Sequence, residues 1–304
     1  MNDAQTTPAI GFIGLGRMGL AMVEHLVEQG HTVHATDIDA AARSAAASIG
    51  ATVHLDISRL VTHVPTPSII WVMVPSQFVD AVLSELTEQL APGSPIIDGG
   101  NSAYGESRRR HHELSQAQIE FLDCGTSGGV AGARHGASLM VGGETAVYEA
   151  VEWLFAALAT KDGYAHVGNP GAGHFVKAVH NAIEYGMMGA LAEGMAHLDE
   201  RADEFDLSLP DVLLPYAHGS IITSRLLDWL AEGYAEGMVD DISGCVPVGE
   251  TEEKMKYLRD HGDFPVLAAA IAQRQSTRTQ PSRTGQYLST MRYKFGGHAP
   301  AQNQ

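Results

Sequence analysis

Strand-like and helix-like hydrophobic patterns alternate along the first half of the chain. Residues 9–13 form a short apolar run that ends in glycine, and residues 20–29 carry apolar side chains at helical spacing before Gly30. Further strand-like runs follow at residues 31–36, 69–74, 95–97 and 121–124. Because strands that alternate with helices form parallel, doubly wound sheets, we expect an N-terminal α/β domain of the Rossmann type.

The pattern changes after Val167. Residues 168–173, Gly-Asn-Pro-Gly-Ala-Gly, interrupt helices and strands, and the stretch from there to about residue 201 has no strand character. We therefore predict a dinucleotide-binding Rossmann domain over residues 1–166. An all-helical substrate and dimerisation domain with a basic tail is predicted over residues 167–304.

Composition narrows the class of protein. The 304 residues are 44% hydrophobic and 18% charged, as in globular proteins, and Cys124 and Cys245 are too far apart in sequence to indicate a disulfide framework. We expect a cytoplasmic location, since no basic segment followed by an apolar stretch marks a signal peptide and no apolar run approaches about 18 residues. The net charge of −17 argues against nucleic acid and membranes as partners. No group of side chains has the spacing of metal ligands, so no metal is expected.

Basic residues are unevenly distributed. From residue 273 onwards the sequence has no acidic residue, and its basic residues are Arg274, Arg278, Arg283, Arg292 and Lys294. Such a segment is either an exposed arm or the lining of an anion site, and the pattern alone favours neither. The Arg-Arg-Arg-His-His run at residues 108–112 is typical of the solvated end of a helix.

A glycine motif, Gly14-Leu15-Gly16-Arg17-Met18-Gly19, stands between the first predicted strand and the first predicted helix. This context is typical of a dinucleotide-binding loop, in which Gly14 allows a tight turn, Gly16 admits a pyrophosphate and Gly19 lets the helix pack on the sheet. The pyrophosphate is expected at the helix N-terminus, where N–H groups and the dipole favour anions. An ordinary strand-to-helix turn is the alternative interpretation.

Asp37 follows the second predicted strand, where a carboxylate can bind the ribose hydroxyls of NAD and repel the 2′-phosphate of NADP. Ile38 and Asp39 supply no arginine for that phosphate, so NAD is the expected cofactor and NADP the less favoured one. The alternative is that Asp37 is a turn residue. The cofactor contacts that we expect are Gly14, Leu15, Gly16, Met18, Gly19, Asp37, Val74 and Asn101.

Two later glycine-rich segments also follow predicted strands, at residues 98–102 and 125–129. Ligands of open α/β sheets bind beyond the carboxyl ends of strands, and Asn101 and Ser127 can bond hydroxyl or carboxylate groups there. Taken alone, each segment fits a turn equally well.

Polar side chains share one face of the helix predicted after the breaker cluster. At about 100° per residue, an arc of roughly 100° contains Lys177, His180, Asn181 and Glu184. The residues of the opposite face, which are apolar and can pack, are Val176, Val179 and Ile183. The polar face offers a base, an orienting group and an acid, although a solvated face is the alternative.

Together these segments resemble 6-phosphogluconate dehydrogenase of the short, decarboxylating type. The likeness extends over residues 9–298 and rests on GFIGLGRMG, DGGNS, TSGGVAGARHG, GAGHFVKAVHNAIEYGMM and MRYKFGGH. The part from Lys177 to Tyr185 is its most specific, because β-hydroxyacid dehydrogenases at large share only the glycine loop, the SGG and a lysine with an asparagine four residues on. The resemblance implies an NAD(P)-dependent enzyme of the pentose phosphate pathway and of gluconate utilisation.

The resemblance also implies roles for individual residues. Lys177 would take the C3 hydroxyl proton as hydride leaves, Glu184 would protonate the enediol after CO2 is lost, and Asn181 would stand with them as a catalytic residue. The substrate would be held by Asn101, Ser127, Gly128, Gly129, His180, Asn181, Tyr185, Arg292 and His298. The last three of these would bind its phosphate.

Assembly is implied by the resemblance as well, with one departure in the phosphate site. We expect a homodimer in which the tail after Pro281 crosses to the partner subunit's active site. The family usually has a phosphate-binding arginine where this chain has Thr223, and residues 242–247 differ from the usual glycine-rich loop. Either Arg225, Arg278 or Arg283 supplies the missing charge, or the pocket takes another acid.

Three functions are open on this basis. The first is NAD-dependent oxidative decarboxylation of 6-phosphogluconate to ribulose 5-phosphate and CO2. The second is related chemistry on a different, for example unphosphorylated, sugar acid, and the third is an inactive nucleotide-binding scaffold. Lys177 and Glu184 argue against the scaffold, whereas Thr223 keeps the second function open.

Overall fold

The computed structural model describes residues 8–249 and 251–296. The chain divides into two compact units, Met1–Lys177 and Ala178–Gln304. None of the helices within the described residues combines the length and the hydrophobicity that a membrane span requires.

The first unit contains an eight-stranded sheet. Its strands are β1 (Ile10–Ile13), β2 (Val33–Thr36), β3 (Thr52–Val53), β4 (Ile69–Val72), β5 (Pro95–Asp98), β6 (Glu120–Ser127), β7 (Ala137–Gly142) and β8 (Ala159–Gly168). Their order across the sheet is β3-β2-β1-β4-β5-β6-β7-β8. The predicted Rossmann fold is confirmed, since chain order reverses between β1 and β4 as in doubly wound sheets.

Two strands, β7 and β8, depart from the predicted parallel arrangement and run opposite to β1–β6. β6 and β7 are antiparallel, whereas the other neighbouring strands are parallel. The physical reason is the connection between them, residues 128–136, which is shorter than the crossover that a parallel pair requires.

Helices cover both faces of this sheet. They are α1 (Arg17–Glu28), α2 (Ala40–Ser48), α3 (Ile57–Val61), α4 (Val79–Thr87), α5 (Tyr104–Gln116), α6 (Gly129–His135) and α7 (Thr145–Leu158). Successive strand residues enter opposite cores, with Phe12, Trp71 and Ile97 on one face and Ile13, Ile70 and Ile96 on the other. Burial on both faces explains why the central strands are continuous apolar runs in the sequence.

The helix α8 (Ala172–Glu200) begins in the first unit and continues into the second, and the boundary predicted near residue 166 falls close to the end of β8. The later helices are α9 (Ala202–Phe205), α10 (Leu209–Ala217), α11 (Arg225–Ala235), α12 (Met238–Asp241), α13 (Glu252–His261), α14 (Pro265–Thr279) and α15 (Arg283–Gly296). No strand occurs in the described part of the second unit, so the predicted helical domain is confirmed. Its core includes Leu213, Leu227 and Met291.

Candidate active site

Three glycines with different surroundings shape the loop between β1 and α1. Gly14 has a φ of +100°, and a side chain there would lie 2.7 Å from the carbonyl carbon of Met73. A side chain at Gly19 would collide with the carbonyl of Gly14, whereas Gly16 faces open space. The turn and the helix packing therefore need Gly14 and Gly19, and the space beside Gly16 leaves the start of α1 accessible to a phosphate group.

Asp37 ties this loop to the end of β2. Its carboxylate accepts hydrogen bonds from the Leu15 N–H at 2.6 Å and the Asp39 N–H at 2.8 Å. Because a carboxylate has about four lone-pair sites, acceptor capacity remains for ribose hydroxyls. The guanidinium of Arg43 donates to the backbone carbonyl of Asp37 at 2.5 Å, so a cation also lies near this position.

The other cofactor contacts expected from the sequence lie on three neighbouring segments of the first unit. Met18 stands in the first turn of α1, Val74 follows β4 and Asn101 follows β5, and all three are partly buried. A side chain at Gly100 would lie 3.0 Å from the Val74 carbonyl oxygen, so the loops after β4 and β5 approach each other closely.

A buried ion pair, which the sequence reasoning missed, fixes the loop after β5. Asp98 is fully buried and accepts hydrogen bonds from the Gly100 N–H at 3.1 Å, the Ser102 hydroxyl at 2.6 Å and Arg110 at 3.2 Å. Arg110 is 4% exposed and also donates to Asp80 at 2.7 Å. The interpretation of the Arg-Arg-Arg-His-His run as a solvated helix end is therefore wrong for Arg110, because α5 turns this arginine towards the sheet.

A second buried network joins β6 to the first turn of α8. Asp123 accepts hydrogen bonds from the N–H groups of Gly171 and His174, each at 2.7 Å. The His174 ring places Nε2 at 3.1 Å from the Gly100 carbonyl and Nδ1 at 2.7 Å from the Ser107 hydroxyl. Because a carbonyl only accepts, Nε2 carries a proton, and His174 links the loop after β5 to the helix that carries the lysine. The only sequence signal for His174 was its place inside the GAGHFVK segment.

The glycine-rich segment at the end of β6 holds Ser127, Gly128 and Gly129. The last two have φ values of +113° and +62°, which glycine adopts without strain. The Thr126 hydroxyl donates to the Gly99 carbonyl at 3.3 Å, so the end of β6 lies beside the loop after β5. Ser127 and Asn101 thus follow neighbouring strands at one edge of the sheet.

Lys177 lies against β6. A side chain at Gly125 would collide with the Lys177 side chain, and a side chain at Gly173 would collide with backbone carbonyls of β6 and β7. These two glycines let the first turn of α8 lie directly on the sheet. That close approach determines where the side chain of Lys177 begins relative to β6. Lys177 is partly buried.

The polar face of α8 continues in the second unit. The Nδ1 atom of His180 lies 3.3 Å from the Asn181 amide oxygen and 3.9 Å from a carboxylate oxygen of Glu184. Asn181 is buried and the Glu184 side chain is 23% exposed, so this part of the face is not fully solvated. On the opposite face Val176 and Val179 are half-buried, whereas Ile183 is 60% exposed.

Two buried arginines lie near Tyr185 in the second unit. The guanidinium of Arg274, on α14, stacks 3.6 Å from the centre of the Tyr185 ring, and Arg292, on α15, donates to the Pro247 carbonyl at 2.7 Å. Among the described residues neither arginine forms an ion pair with a carboxylate. Burial lowers the pKa of Arg292, and it lowers the pKa of Arg274 to about 10. Both remain protonated at neutral pH, and the described carboxylates act on them only through space, Glu184 and Glu252 on Arg274 and Glu252 on Arg292.

The arginines considered as substitutes for the missing helix arginine are held elsewhere. Arg225 pairs with two acidic residues of its own helix, and Arg278 and Arg283 each bond at least one carboxylate. Thr223 is exposed, and its hydroxyl donates to a carbonyl of the preceding turn at 2.8 Å. The helix α15, which carries Arg292, packs into the core of the second unit of its own chain, so the structure does not bear out a crossing that begins at Pro281. His298 lies outside the described residues.

No group of three or more histidine, cysteine or acidic side chains within residues 8–249 and 251–296 is arranged to hold a metal ion. The two cysteines are free, and burial raises the pKa of the Cys124 thiol. The lysine, amide, imidazole and carboxylate groups of α8 are the side chains that offer acid–base and hydrogen-bonding chemistry.

Comparison with known proteins agrees with this arrangement. Residues 9–168 match the family model of the NAD binding domain of 6-phosphogluconate dehydrogenase. The chain belongs to the 6-phosphogluconate dehydrogenase family. This family lies within the β-hydroxyacid dehydrogenases, which are nicotinamide-dependent oxidoreductases.

Individual members of the family match most of the chain. It is 39% identical over 293 residues to YqeC of Bacillus subtilis, which is named as a candidate 6-phosphogluconate dehydrogenase. This alignment covers 95% of this chain and 98% of YqeC. It is also 39% identical over 298 residues to the NAD+-dependent, decarboxylating 6-phosphogluconate dehydrogenase of Haloferax volcanii, covering 96% and 98%. The solved 6-phosphogluconate dehydrogenase of Plasmodium falciparum superposes with a TM-score of 0.80 at 25% identity, over 90% of this chain and 62% of that one.

Proposed function

We propose that the protein catalyses the NAD-dependent oxidative decarboxylation of 6-phosphogluconate to ribulose 5-phosphate and CO2. The observation that carries the proposal is the face of α8, on which Lys177, Asn181 and Glu184 combine a base, an amide and an acid. Positive charge beside Tyr185, the residue after Glu184, supports a substrate that ends in a phosphate. The names of two full-length relatives support the same reaction.

NAD would be held by the loop between β1 and α1, with its adenosine ribose on Asp37. The residues present fit this group, because Gly16 leaves open space and Asp37 retains acceptor capacity. When bound, NAD+ supplies the acceptor for the hydride that leaves the substrate. Asp37 would repel the 2′-phosphate of NADP, and Arg43 is the cation that would bind this phosphate if NADP were used instead.

Lys177 would begin the reaction by taking the proton of the C3 hydroxyl while hydride leaves the same carbon. Asn101 and Ser127, with the backbone of Gly128 and Gly129, would hold the hydroxyl and carboxylate groups of the sugar acid. The β-keto acid that results loses CO2 readily. The protonated Lys177 would donate a hydrogen bond to the C3 ketone as negative charge develops on its oxygen.

Glu184 would complete the reaction by donating a proton to the carbon that has lost CO2. His180, whose ring lies 3.9 Å from the Glu184 carboxylate, would orient this group together with Asn181. Tyr185, Arg292 and His298 would bind the phosphate of the substrate.

Steady-state kinetics on a panel of sugar acids, with NAD and with NADP, tests the proposal. We expect 6-phosphogluconate with NAD to have the highest kcat/KM, and one CO2 to be released per NADH formed. If gluconate or another unphosphorylated acid has the higher kcat/KM, the substrate assignment is wrong. If NADP is preferred, the role given to Asp37 is wrong.

Variants of the two catalytic groups test the division of labour. Lys177→Ala should slow oxidation by about 10²- to 10⁴-fold. Glu184→Gln should instead slow mainly the final protonation, measured as tritium exchange into ribulose 5-phosphate. Equal loss of every partial reaction in both variants would assign Glu184 a structural role.

A β-hydroxyacid dehydrogenase activity on a different sugar acid is the second candidate. The observation that favours it is Thr223, which stands exposed where the family usually has a phosphate-binding arginine. The same substrate panel separates the two candidates.

We further propose a cytoplasmic homodimer in which residues after Gly296, including His298, reach the partner subunit's active site. Mixing Lys177→Ala protein with protein shortened after Gly296 should then restore part of the activity. A fully active monomer would contradict this assembly.

A further inference from the structure

The loop after β4, residues 73–78, lies between two loops that carry proposed cofactor contacts. A side chain at Gly14 would lie 2.9 Å from the Val74 side chain, and one at Gly100 would lie 3.0 Å from the Val74 carbonyl oxygen. The first part of the loop therefore approaches both the glycine loop and the loop that carries Asn101. A movement of this middle segment would shift the two groups of cofactor contacts relative to each other.

The second part of the same loop is largely exposed, and a buried arginine holds it. Pro75, Gln77 and Phe78 are exposed. From α5, the Arg110 guanidinium donates to the Ser76 carbonyl at 3.4 Å and to the Asp80 carboxylate at 2.7 Å. Asp80 stands in the first turn of α4, which follows the loop directly. Arg110 therefore holds both the exposed part of the loop and the helix at which the loop ends.

The same guanidinium also holds the loop after β5. Its Nη1 donates to the Asp98 carboxylate at 3.2 Å and to the hydroxyl of Ser102, the residue after Asn101, at 2.8 Å. A guanidinium is planar and presents its donors in a rigid fork. Bonds on both of its sides therefore fix the distance between the loop after β4 and the loop that carries Asn101.

Two exposed carboxylates beside α5 differ in whether they take part in this connection. The side chains of Asp80 and Glu113 are 56% and 57% exposed, and each accepts a hydrogen bond from Arg109 at 2.8 Å. Asp80 also bonds Arg110, whereas Glu113 has no bond to Arg110 within the described residues. Burial alone would raise the pKa of Asp80, but hydrogen bonds from Arg110 and then Arg109 lower it. Asp80 is therefore ionised at neutral pH and matches Glu113 in charge and exposure.

We propose that Asp80 is a positioning residue for the cofactor and for hydride transfer. Through Arg110 it holds the loop after β4 at a fixed distance from the loop that carries Asn101. The inference rests on the proposed function and adds to it a residue that acts through a neighbour. Hydride transfer requires the donor carbon and the nicotinamide in a narrow range of distance and angle. A loosened connection should therefore lower kcat as well as cofactor affinity.

Fluorescence titration of the full-length protein with NADH tests the inference without turnover. Asp80→Ala should raise the Kd for NADH about three- to tenfold, the modest effect expected of a residue that acts through a neighbour. Glu113→Ala is the matched control, because it removes an equally exposed carboxylate that bonds only Arg109 among the described residues, and its Kd should equal that of wild-type protein. Asp80→Glu keeps the charge at an exposed position and should recover most of the affinity.

Urea denaturation separates a positioning role from a structural one. Exposed ion pairs contribute little to stability, so the denaturation midpoints of Asp80→Ala and Glu113→Ala should agree. A lower midpoint in Asp80→Ala alone would make the role of Asp80 structural and overturn the inference. Asp80→Asn, which keeps the shape of the side chain, gives the same comparison should the alanine variant not fold.

Kinetics with 6-phosphogluconate supply the third measurement. Asp80→Ala should lower kcat about tenfold and leave KM for 6-phosphogluconate close to that of wild-type protein, because the connection aligns the reacting groups. Asp80→Ala and Glu113→Ala proteins with the same Kd for NADH would overturn the inference. Weaker NADH binding by Asp80→Ala, in a protein that does not oxidise 6-phosphogluconate, would contradict the proposed substrate and support the inference.

Discussion

Two arginines of this protein are equally buried, but only one of them has carboxylate partners. Arg110 and Arg274 are each 4% exposed. Arg110 donates to the carboxylates of Asp98 and Asp80, whereas Arg274 faces a tyrosine ring and a thioether. A buried charge with its counter-ion inside the fold holds a loop in place, and a buried charge without one is available to a ligand. Burial alone does not distinguish these roles, so the partners of each guanidinium have to be compared.

The largest effect should come from replacing Arg110, the arginine that has carboxylate partners. Arg110→Met leaves the fully buried Asp98 carboxylate without its cation, and we expect the free energy of unfolding to fall by about 3–5 kcal/mol. Urea denaturation followed by circular dichroism measures the change.

Arg274→Met is the matched variant for this experiment. It removes a buried charge that lacks an ion-pair partner among the described residues, so the free energy of unfolding should change by less than about 1 kcal/mol or increase. Similar losses for the two variants would show that the comparison between them is mistaken.

An intermediate effect is expected at His174, both of whose ring nitrogens have hydrogen-bond partners in the first unit. His174→Phe keeps a ring but removes the hydrogen bonds to the Gly100 carbonyl and the Ser107 hydroxyl, so the loop that carries Asn101 loses a support. We expect kcat to fall about ten- to hundredfold under saturating substrate, as for other residues that orient catalytic groups. Ser107→Ala, which removes only one of the two partners, should have a smaller effect. Wild-type kcat in His174→Phe would leave this histidine a purely structural role.

The smallest effect concerns a pair of histidines. Unlike a buried arginine, a buried histidine can lose its proton and become neutral. His34 Nδ1 lies 2.9 Å from His54 Nε2, and burial, followed by neighbouring histidines, lowers the pKa of both. At these two positions the folded protein thus binds fewer protons than the unfolded chain. Their contribution to the free energy of unfolding is therefore constant above the unfolded pKa of about 6.5 and falls as pH drops below it. His54→Asn should reduce this loss between pH 7 and 5.5, by less than about 1 kcal/mol after solvent screening. Urea denaturation of both proteins at the two pH values measures this loss. An unchanged pH dependence in His54→Asn would show that the histidine pair does not cause it.

The central strands and the glycine loop could be predicted because their physical requirements are visible in the sequence. β1, β4 and β5 are buried on both faces, so each is an uninterrupted apolar run. β3 has two residues and β8 is largely exposed or half-buried, so neither leaves such a run. The reversed direction of β7, which β8 shares, depends on the length of the connection after β6, and hydrophobicity does not report that length.

The buried charges could not be predicted because their role depends on packing. Arg110 stands in a run of three arginines, and only the contact of α5 with the sheet selects the one that turns inward. Arg274 was recognised as part of a basic segment that either forms an arm or lines an anion site, and the fold decides that it is buried. Its neighbour Tyr185 lies 89 residues earlier in the sequence, so no local pattern connects the two.

The contact between α8 and the sheet has a consequence for engineering this protein. Gly125 and Gly173 each cost roughly 0.5–1 kcal/mol of conformational entropy relative to alanine, and replacing such residues is a common route to higher thermal stability. Here an alanine at either position would push the first turn of α8 away from β6 and carry Lys177 with it. The gain in entropy would be exchanged for a displaced Lys177, the proposed catalytic base, so at these two positions stability and activity are expected to oppose each other.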